Sequence, residues 1–264
     1  MKKIGFIGAG NMAGAIIRGL AGKDFALAAT DIDAEKLANL QKQGGCQPAS
    51  LTELVQWADL LVLAVKPTVA ISVLKEISQG QKPYGFLASI TASIPVKVYE
   101  KALPDWSIVR VMPNTSATLG LSMTALVRGG KVSEAEASLA DEVFKSLGDN
   151  IWLAENQMPI FTAISGCGPA YFYLMVQELV QAAQDEGLSE DEARQITIKT
   201  LVGAGAMLTQ AKQSPAELRR QVTSPGGITE AAINQFLQGD FGGLIQKVIT
   251  AALARDAQIS SAFD

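Results

Sequence analysis

The chain has no histidine among its 264 residues. That removes imidazole from any acid–base step and from any metal site. It holds only two cysteines, Cys46 and Cys167, too few for a disulfide framework and in keeping with a reducing cytoplasm. Each reads as a small buried thiol. Charge is also sparse: charged residues make up 18% of the chain and the formal net charge is -4. With no Lys/Arg cluster, neither nucleic acid nor an anionic membrane surface is expected as a partner. Long hydrophobic runs are missing as well. "MKKIGFIGAGNMAG" opens like a leader, but Gly and Asn break its apolar run at once, so it reads as a strand entering a turn. The longest uncharged stretch, Asn156 to Gln177, includes two Pro and two Gly. A membrane span needs about 20 mostly apolar residues, so a buried helix preceded by a turn is expected there.

What is present is apolar residue in quantity, 48% of the chain, enough for a core or a core plus a subunit interface. Up to about residue 155, short apolar runs alternate with helical periodicity. "KKIGFIGAG", "FALAATDID", "LLVLAVKP", "GFLASI", "SIVRVMP", "SMTALVRG" and "NIWLA" read as strands. "NMAGAIIRGLAGK", "DAEKLANLQKQG" (with Gly44 after it), "LTELVQWAD", "TVAISVLKEIS", "PVKVYEKAL" and "SEAEASLADEVFKSLG" read as helices. This alternation predicts an α/β fold with a mostly parallel, doubly wound Rossmann-like sheet. Beyond residue 155 only helical patterns remain, with Ser189 a fair N-cap before Glu190 and Asp191. The expected division is a dinucleotide-binding domain at 1–155 and an all-helical domain at 156–264.

"IGFIGAGNMAGAI" places Gly8, Gly10 and Ala13 in G-x-G-x-x-A spacing between a strand and a helix. That is the context in which the pattern binds a dinucleotide. Gly8 permits the tight turn, Gly10 lets the backbone approach a pyrophosphate, and Ala13 lets helix pack on strand. The amides of Asn11 and Met12 at the helix start then face the phosphates. A tight turn with no ligand is the alternative. Asp31, about 20 residues on, stands where an acid bonds the adenosine ribose and repels a 2′-phosphate; capping a helix or lying solvated in a loop is its bland role. Asp33 can cap the following helix instead. "LAVKP" (with Ala64, Val65, Lys66 and Pro67) and "VMPNTSA" (with Met112, Pro113 and Asn114) fall at the carboxyl ends of strands, where open α/β sheets bind ligands. Lys66 can reach a phosphate or substrate, and Pro113 and Asn114 can line a nicotinamide pocket. Ordinary loop chemistry serves equally well for both.

In the helical half, "AISGCGPAYFYL" is a Gly-rich turn entering a helix, with Pro169 as a pocket wall. Dehydrogenases of 3-hydroxy acids and of phosphogluconate have a comparable stretch followed by a catalytic Lys. Here those positions hold Tyr171, Phe172, Tyr173 and Leu174. "VTSPGGITEAAI" sets Ser224, Pro225, Gly226 and Gly227 before a helix starting near Thr229. Such a loop can gather amides into a nest for a small carboxylate, with the Thr229 hydroxyl beside it. A plain helix connection with Thr229 as N-cap is the other reading.

Taken together, "FIGAGNMAGAI", "LAVKP", "VMPNT", "SGCGPAY" and "VTSPGGITEAAI" resemble, in order and spacing over essentially the whole chain, the pyrroline-5-carboxylate reductases. The resemblance implies reduction of 1-pyrroline-5-carboxylate to L-proline with NADPH or NADH. It also implies a homodimer or an assembly of dimers through the helical domains, with part of the active site from the partner chain. On that basis the nucleotide would lie over Gly8 to Met12. The imine carboxylate would sit at Ser224, Gly226, Gly227 and Thr229, and Thr229 would orient or donate to the ring nitrogen. Two positions depart from the family's usual pattern. Ile228 stands where Thr is commoner, and Asp31 where many members carry a polar or basic residue, which leaves the choice between NADH and NADPH open. Other readings are a dehydrogenase of a 2- or 3-hydroxy acid, disfavoured by the absent Lys, and a non-catalytic NAD(P)-sensing protein.

Overall fold

The computed structural model describes residues 1–80 and 84–263. The chain begins with β1 (Lys2–Ile7), α1 (Asn11–Leu20), β2 (Phe25–Thr30), α2 (Ala34–Gly44), β3 (Gln47–Pro48) and α3 (Leu51–Trp57). Then come β4 (Leu60–Leu63), α4 (Pro67–Ser78), β5 (Phe86–Ser89), α5 (Val96–Ala102), β6 (Ile108–Met112), β7 (Ser122–Arg128), α6 (Glu134–Phe144) and β8 (Gly148–Trp152). Helices α7 (Met158–Phe161), α8 (Gly168–Asp185), α9 (Glu190–Gln210), α10 (Pro215–Gln221), α11 (Ile228–Gln238) and α12 (Phe241–Ser260) complete it. The strands form one sheet in the order β3-β2-β1-β4-β5-β6-β7-β8. All neighbouring pairs are parallel except β6 with β7.

The run "LLVL" has no polar alternation because both faces of β4 are covered. Leu60 and Val62 enter one core with Ile4, Phe6, Ile16, Phe86 and Phe144, while Leu61 and Leu63 enter the other with Leu54, Leu87, Tyr99 and Trp106. Capping boxes start α3 at Ser50, α6 at Ser133, α9 at Ser189 and α10 at Ser214. Each satisfies two amides that a helix start leaves open.

By internal contacts the chain forms two compact units, Met1–Cys167 with the chain from Ala252 onward, and Gly168–Ala251. Several local expectations are corrected. Gly44 is the last residue of α2, and Gly45, in the left-handed region at φ 68, is the cap. Strand β3, two residues at the sheet edge, has too little pattern to read. The β2 strand stops at Thr30, so Asp31 lies just past its end. The helix expected to be buried after residue 156 is largely exposed, with Phe172 at 58%, Tyr173 at 66% and Leu174 at 58%. Residues Glu155–Asp185 are long and apolar enough to cross a membrane by length and composition alone. An apolar face bare in the single chain marks a surface that something else covers.

Candidate active site

The glycine loop is built by backbone necessity. Gly8 has φ +100, and a Cβ there would lie 2.6 Å from the Ala64 carbonyl oxygen, so no side chain fits. Its amide donates to Thr30 O at 2.8 Å, and Ala64 N donates to Ile7 O at 2.8 Å, locking the exits of β1, β2 and β4 together. Gly10 caps α1 without a side-chain bond and has open space where a Cβ would stand. Ala13 is fully buried. The amides of Asn11, Met12 and Ala13 have no acceptor among the described residues. Open space, three free N–H groups and a positive helix end together fit a pyrophosphate.

Asp31 does more than the sequence suggested. Its Oδ2 accepts the Ala9 amide at 2.6 Å and its Oδ1 the Asp33 amide at 2.9 Å. The acid therefore fastens the glycine loop, and each oxygen keeps a further lone pair for a ribose hydroxyl. The Asp33 side chain caps α2 through the amides of Glu35 and Lys36. These bonds, with Lys36 beside it, hold its carboxyl below the usual range. Lys36, the basic residue nearest in sequence, pairs with Asp33 at 3.2 Å.

The loop Ala64–Lys66 leaves β4 and turns into α4 with Pro67 as first helical residue. Lys66 is exposed. Val65 O accepts the Thr91 hydroxyl at 3.2 Å, so the segment after β5 holds this loop. Sequence patterning gave no sign of Thr91, whose meaning lies in the contact it makes across the sheet edge.

At the end of β6, Met112 is half-buried and Pro113 buried. The Asn114 amide is committed within the protein. Its Nδ2 donates to Ser165 O at 3.2 Å and to Ser165 Oγ at 3.0 Å, while its Oδ1 accepts the Ser116 amide at 3.0 Å. Asn114 thus ties this loop to a π-turn over Thr162–Gly166, closed by Cys167 N to Thr162 O at 2.9 Å. The residue four beyond Ser165 is Pro169, which has no N–H to offer the Ser165 carbonyl, and Asn114 supplies that donor. Of the two thiols, Cys46 is buried, its pKa pushed up to about 12 by that burial, whereas Cys167 is only half-buried.

The Ser224–Gly227 turn has Gly226 at φ +70 and Gly227 as the N-cap of α11. Thr229 is therefore the second residue of the helix, not its cap. The Gly226 amide donates to Glu230 Oε2 at 2.8 Å and the Gly227 amide to Ser224 O at 3.0 Å. At the helix start the amides of Ile228, Thr229 and Glu230 have no acceptor among the described residues, beside the exposed Thr229 side chain. Of the four residues expected to hold the carboxylate, Gly226 and Gly227 have their amides committed as the loop stands, while the amides of Ser224 and Thr229 have no acceptor among the described residues.

A cavity of about 790 Å³ opens elsewhere, toward the starts of β1 and β2, lined by Lys3, Phe25, Leu27, Gln47, Glu53 and Trp57. It shares no residue with the glycine loop or the carboxyl ends of β1, β2, β4 and β6, where the ligand chemistry argued above belongs.

Comparison with known proteins accords with this geometry. Residues 155–259 match the family model described as pyrroline-5-carboxylate reductase dimerisation, and residues 3–93 match that of NADP oxidoreductase coenzyme F420-dependent. A pyrroline-5-carboxylate reductase of Pseudomonas aeruginosa is 38% identical, over 98% of this chain and 97% of its own. The structure of a pyrroline-5-carboxylate reductase from Coxiella burnetii superposes with TM-score 0.91 at 33% identity, over 97% of this chain and 98% of that one. A Plasmodium falciparum pyrroline carboxylate reductase, solved with NADP bound, superposes with TM-score 0.85 at 28% identity, over 98% of this chain and 100% of that one.

Proposed function

The chain belongs to the pyrroline-5-carboxylate reductase family, and from that premise we infer how its own residues carry out the reaction. It is an NAD(P)H-dependent oxidoreductase that reduces 1-pyrroline-5-carboxylate to L-proline. The observation that carries the residue assignments is a pair of helix starts with unpaired amides, Asn11–Ala13 and Ile228–Glu230. The first suits a pyrophosphate and the second a small carboxylate.

Gly8, Gly10, Asn11, Met12 and Ala13 cradle the phosphates, and Asp31 takes the adenosine ribose. Ala64, Val65, Lys66 and Pro67, with Met112, Pro113 and Asn114, form the rim at the strand ends. In this reading Asn114 acts from inside the loop, because its amide is already used. When bound, the reduced nicotinamide supplies the hydride. The substrate carboxylate rests on the amides of the Ser224–Thr229 loop, and the Gly226 amide joins them when the Glu230 carboxylate gives way. The Thr229 hydroxyl orients the ring nitrogen, which arrives protonated, so no histidine is required. Alignment of the reacting atoms within about 3.5 Å supplies most of the acceleration.

The exposed face of α8 and its neighbours would meet a second copy of the chain rather than lipid, since it lies within the region matching the dimerisation model. A homodimer or an assembly of dimers in the cytoplasm, with no nucleic acid partner, completes the reading. Steady-state oxidation of NADH and NADPH with 1-pyrroline-5-carboxylate, set against a panel of 2- and 3-hydroxy acids with NAD(P), tests it. Turnover of the imine is expected; turnover of a hydroxy acid alone would overturn it.

A further inference from the structure

Asp256 is the one buried carboxylate among the described residues, 9% exposed, and nothing in the reaction as described so far uses it. No cation pairs with it among those residues. Its partner is the Ser93 hydroxyl, which donates to Oδ1 at 2.7 Å. One helical turn further along α12, the Ser260 hydroxyl donates to the Ser93 carbonyl oxygen at 2.9 Å. Residues four apart share a helix face, so α12 grips Ser93 at both its side chain and its backbone.

Ser93 needs that grip. Its φ is 60, and only one other described non-glycine residue, Asp240, has a positive φ. A serine pays a steric penalty in this region that glycine does not. Such outliers persist where their surroundings fix them, and they gather at functional sites. Ser93 lies four residues past the end of β5, at the carboxyl edge of the sheet. The same turn is sewn to the cofactor rim: Ile90 N donates to Leu63 O at 3.0 Å, and the Thr91 hydroxyl to Val65 O at 3.2 Å. Thr91 N is held in turn by Ser89 Oγ, which bonds the buried Tyr99 hydroxyl. The path from Asp256 to the Val65 carbonyl therefore runs through three residues of one turn.

A neutral side chain would pack the end of α12 without burying a charge. A carboxylate adds a strong, charge-assisted hydrogen bond to the Ser93 hydroxyl. We propose that Asp256 is a positioning residue for the reduction: by holding Ser93 left-handed, it sets the Ile90–Ser93 turn and hence the Val65 loop against which the nicotinamide lies. The proposal rests on the reading that the dinucleotide crosses the ends of β4, β5 and β6.

The test compares Asp256→Ala, Asp256→Asn, Ser93→Ala and Ser93→Gly, and the double variant Asp256→Ala/Ser93→Gly, in the full-length assembled enzyme. Asp256→Ala and Ser93→Ala are expected to lower kcat about tenfold and weaken reduced dinucleotide binding several-fold, with KM for the imine within about twofold, as slight misalignment does. Asp256→Asn keeps an acceptor oxygen and should keep most activity. Ser93→Gly adopts φ 60 unaided, so it should exceed Ser93→Ala in kcat, and in the double variant it should restore kcat to within about threefold of the parent. Equal kcat for Ser93→Ala and Ser93→Gly overturns the proposal. So does an Asp256→Ala enzyme that loses only Tm, or that glycine fails to rescue. If Asp256→Ala does not fold, the two Ser93 variants decide alone. Dinucleotide affinity, read by fluorescence of the bound reduced nicotinamide, separates the two readings. A parent enzyme that binds dinucleotide but turns over no imine refutes the assigned reaction, while the ranking of the Ser93 variants in affinity still judges Asp256.

Discussion

Replacing Asp31 by Asn should change which dinucleotide the enzyme prefers, by an amount that charge and distance set. The carboxylate sits just beyond β2, half-buried, and pairs with no cation among the described residues. A 2′-phosphate one ribose away would bring its charge to about 5 Å. At the high effective dielectric proper to a partly exposed group, the repulsion is about 1–1.5 kcal/mol per unit charge, or about 1.5–3 kcal/mol for a phosphate carrying about 1.5 to 2 charges. The parent enzyme should therefore favour NADH. Asp31→Asn should raise kcat/KM for NADPH about 30-fold relative to NADH, with the gain shrinking as salt is added. Asn can still accept the Ala9 amide, although its NH₂ then faces the Asp33 amide, so some loss with both cofactors is expected. Asp31→Ala removes both acceptors and should weaken NADH and NADPH alike. The assay is steady-state kcat/KM with each cofactor at two ionic strengths. A parent enzyme preferring NADPH by tenfold or more, or an unchanged ratio in Asp31→Asn, would refute the electrostatic reasoning.

Other outcomes follow from the same structure. Thr229→Ala should lower kcat by about 10- to 100-fold, the worth of one hydrogen bond to a charged group, and leave dinucleotide affinity nearly unchanged; equal activity would remove the hydroxyl from the mechanism. Arg110 is buried and pairs with Glu155 at 2.6 Å, so Glu155→Ala should cost about 2–4 kcal/mol in urea unfolding, under the value for a fully buried pair because Glu155 is a third exposed. An alkylating agent at neutral pH should label Cys167 well before Cys46, whose thiol is buried and raised to about 12; peptide mass spectrometry reads the order. The capping carboxylates of Asp33, Glu53, Glu192 and Glu217 all have lowered pKa values. Their contribution is thus full above the ordinary carboxylate range of about 4, and it is lost as pH falls through the lower folded values. Acid unfolding should begin near that range, as followed by circular dichroism.

The alternation of strand and helix was legible because β4 and β5 are covered on both faces and so carry uninterrupted apolar runs. Helix starts were legible where Ser189 caps and acids follow. Neither signal reaches features created by contact between distant segments. The tie from Asn114 to Ser165 in the π-turn at Thr162–Gly166, about fifty residues later, is one such contact. The exposure of α8 escaped the sequence because its apolar face looks the same whether its own chain or a partner covers it. Glycine spacing located the Gly8 turn, where φ leaves no choice of residue. It located the Ser224–Gly227 turn too, but not that Glu230 reaches back to the Gly226 amide. Ser93 carried no signal at all: a serine in a left-handed turn is announced only by its backbone.

The most direct test is a crystal structure of the assembled enzyme with reduced dinucleotide and a non-reactive cyclic analogue of the imine. It should show the phosphates on the Asn11–Ala13 amides, the analogue's carboxylate on the amides around Thr229, and the nicotinamide C4 within about 3.5 Å of the carbon to be reduced. An analogue bound away from the Ser224–Thr229 loop in every subunit, or a dinucleotide that never reaches it, would contradict the account.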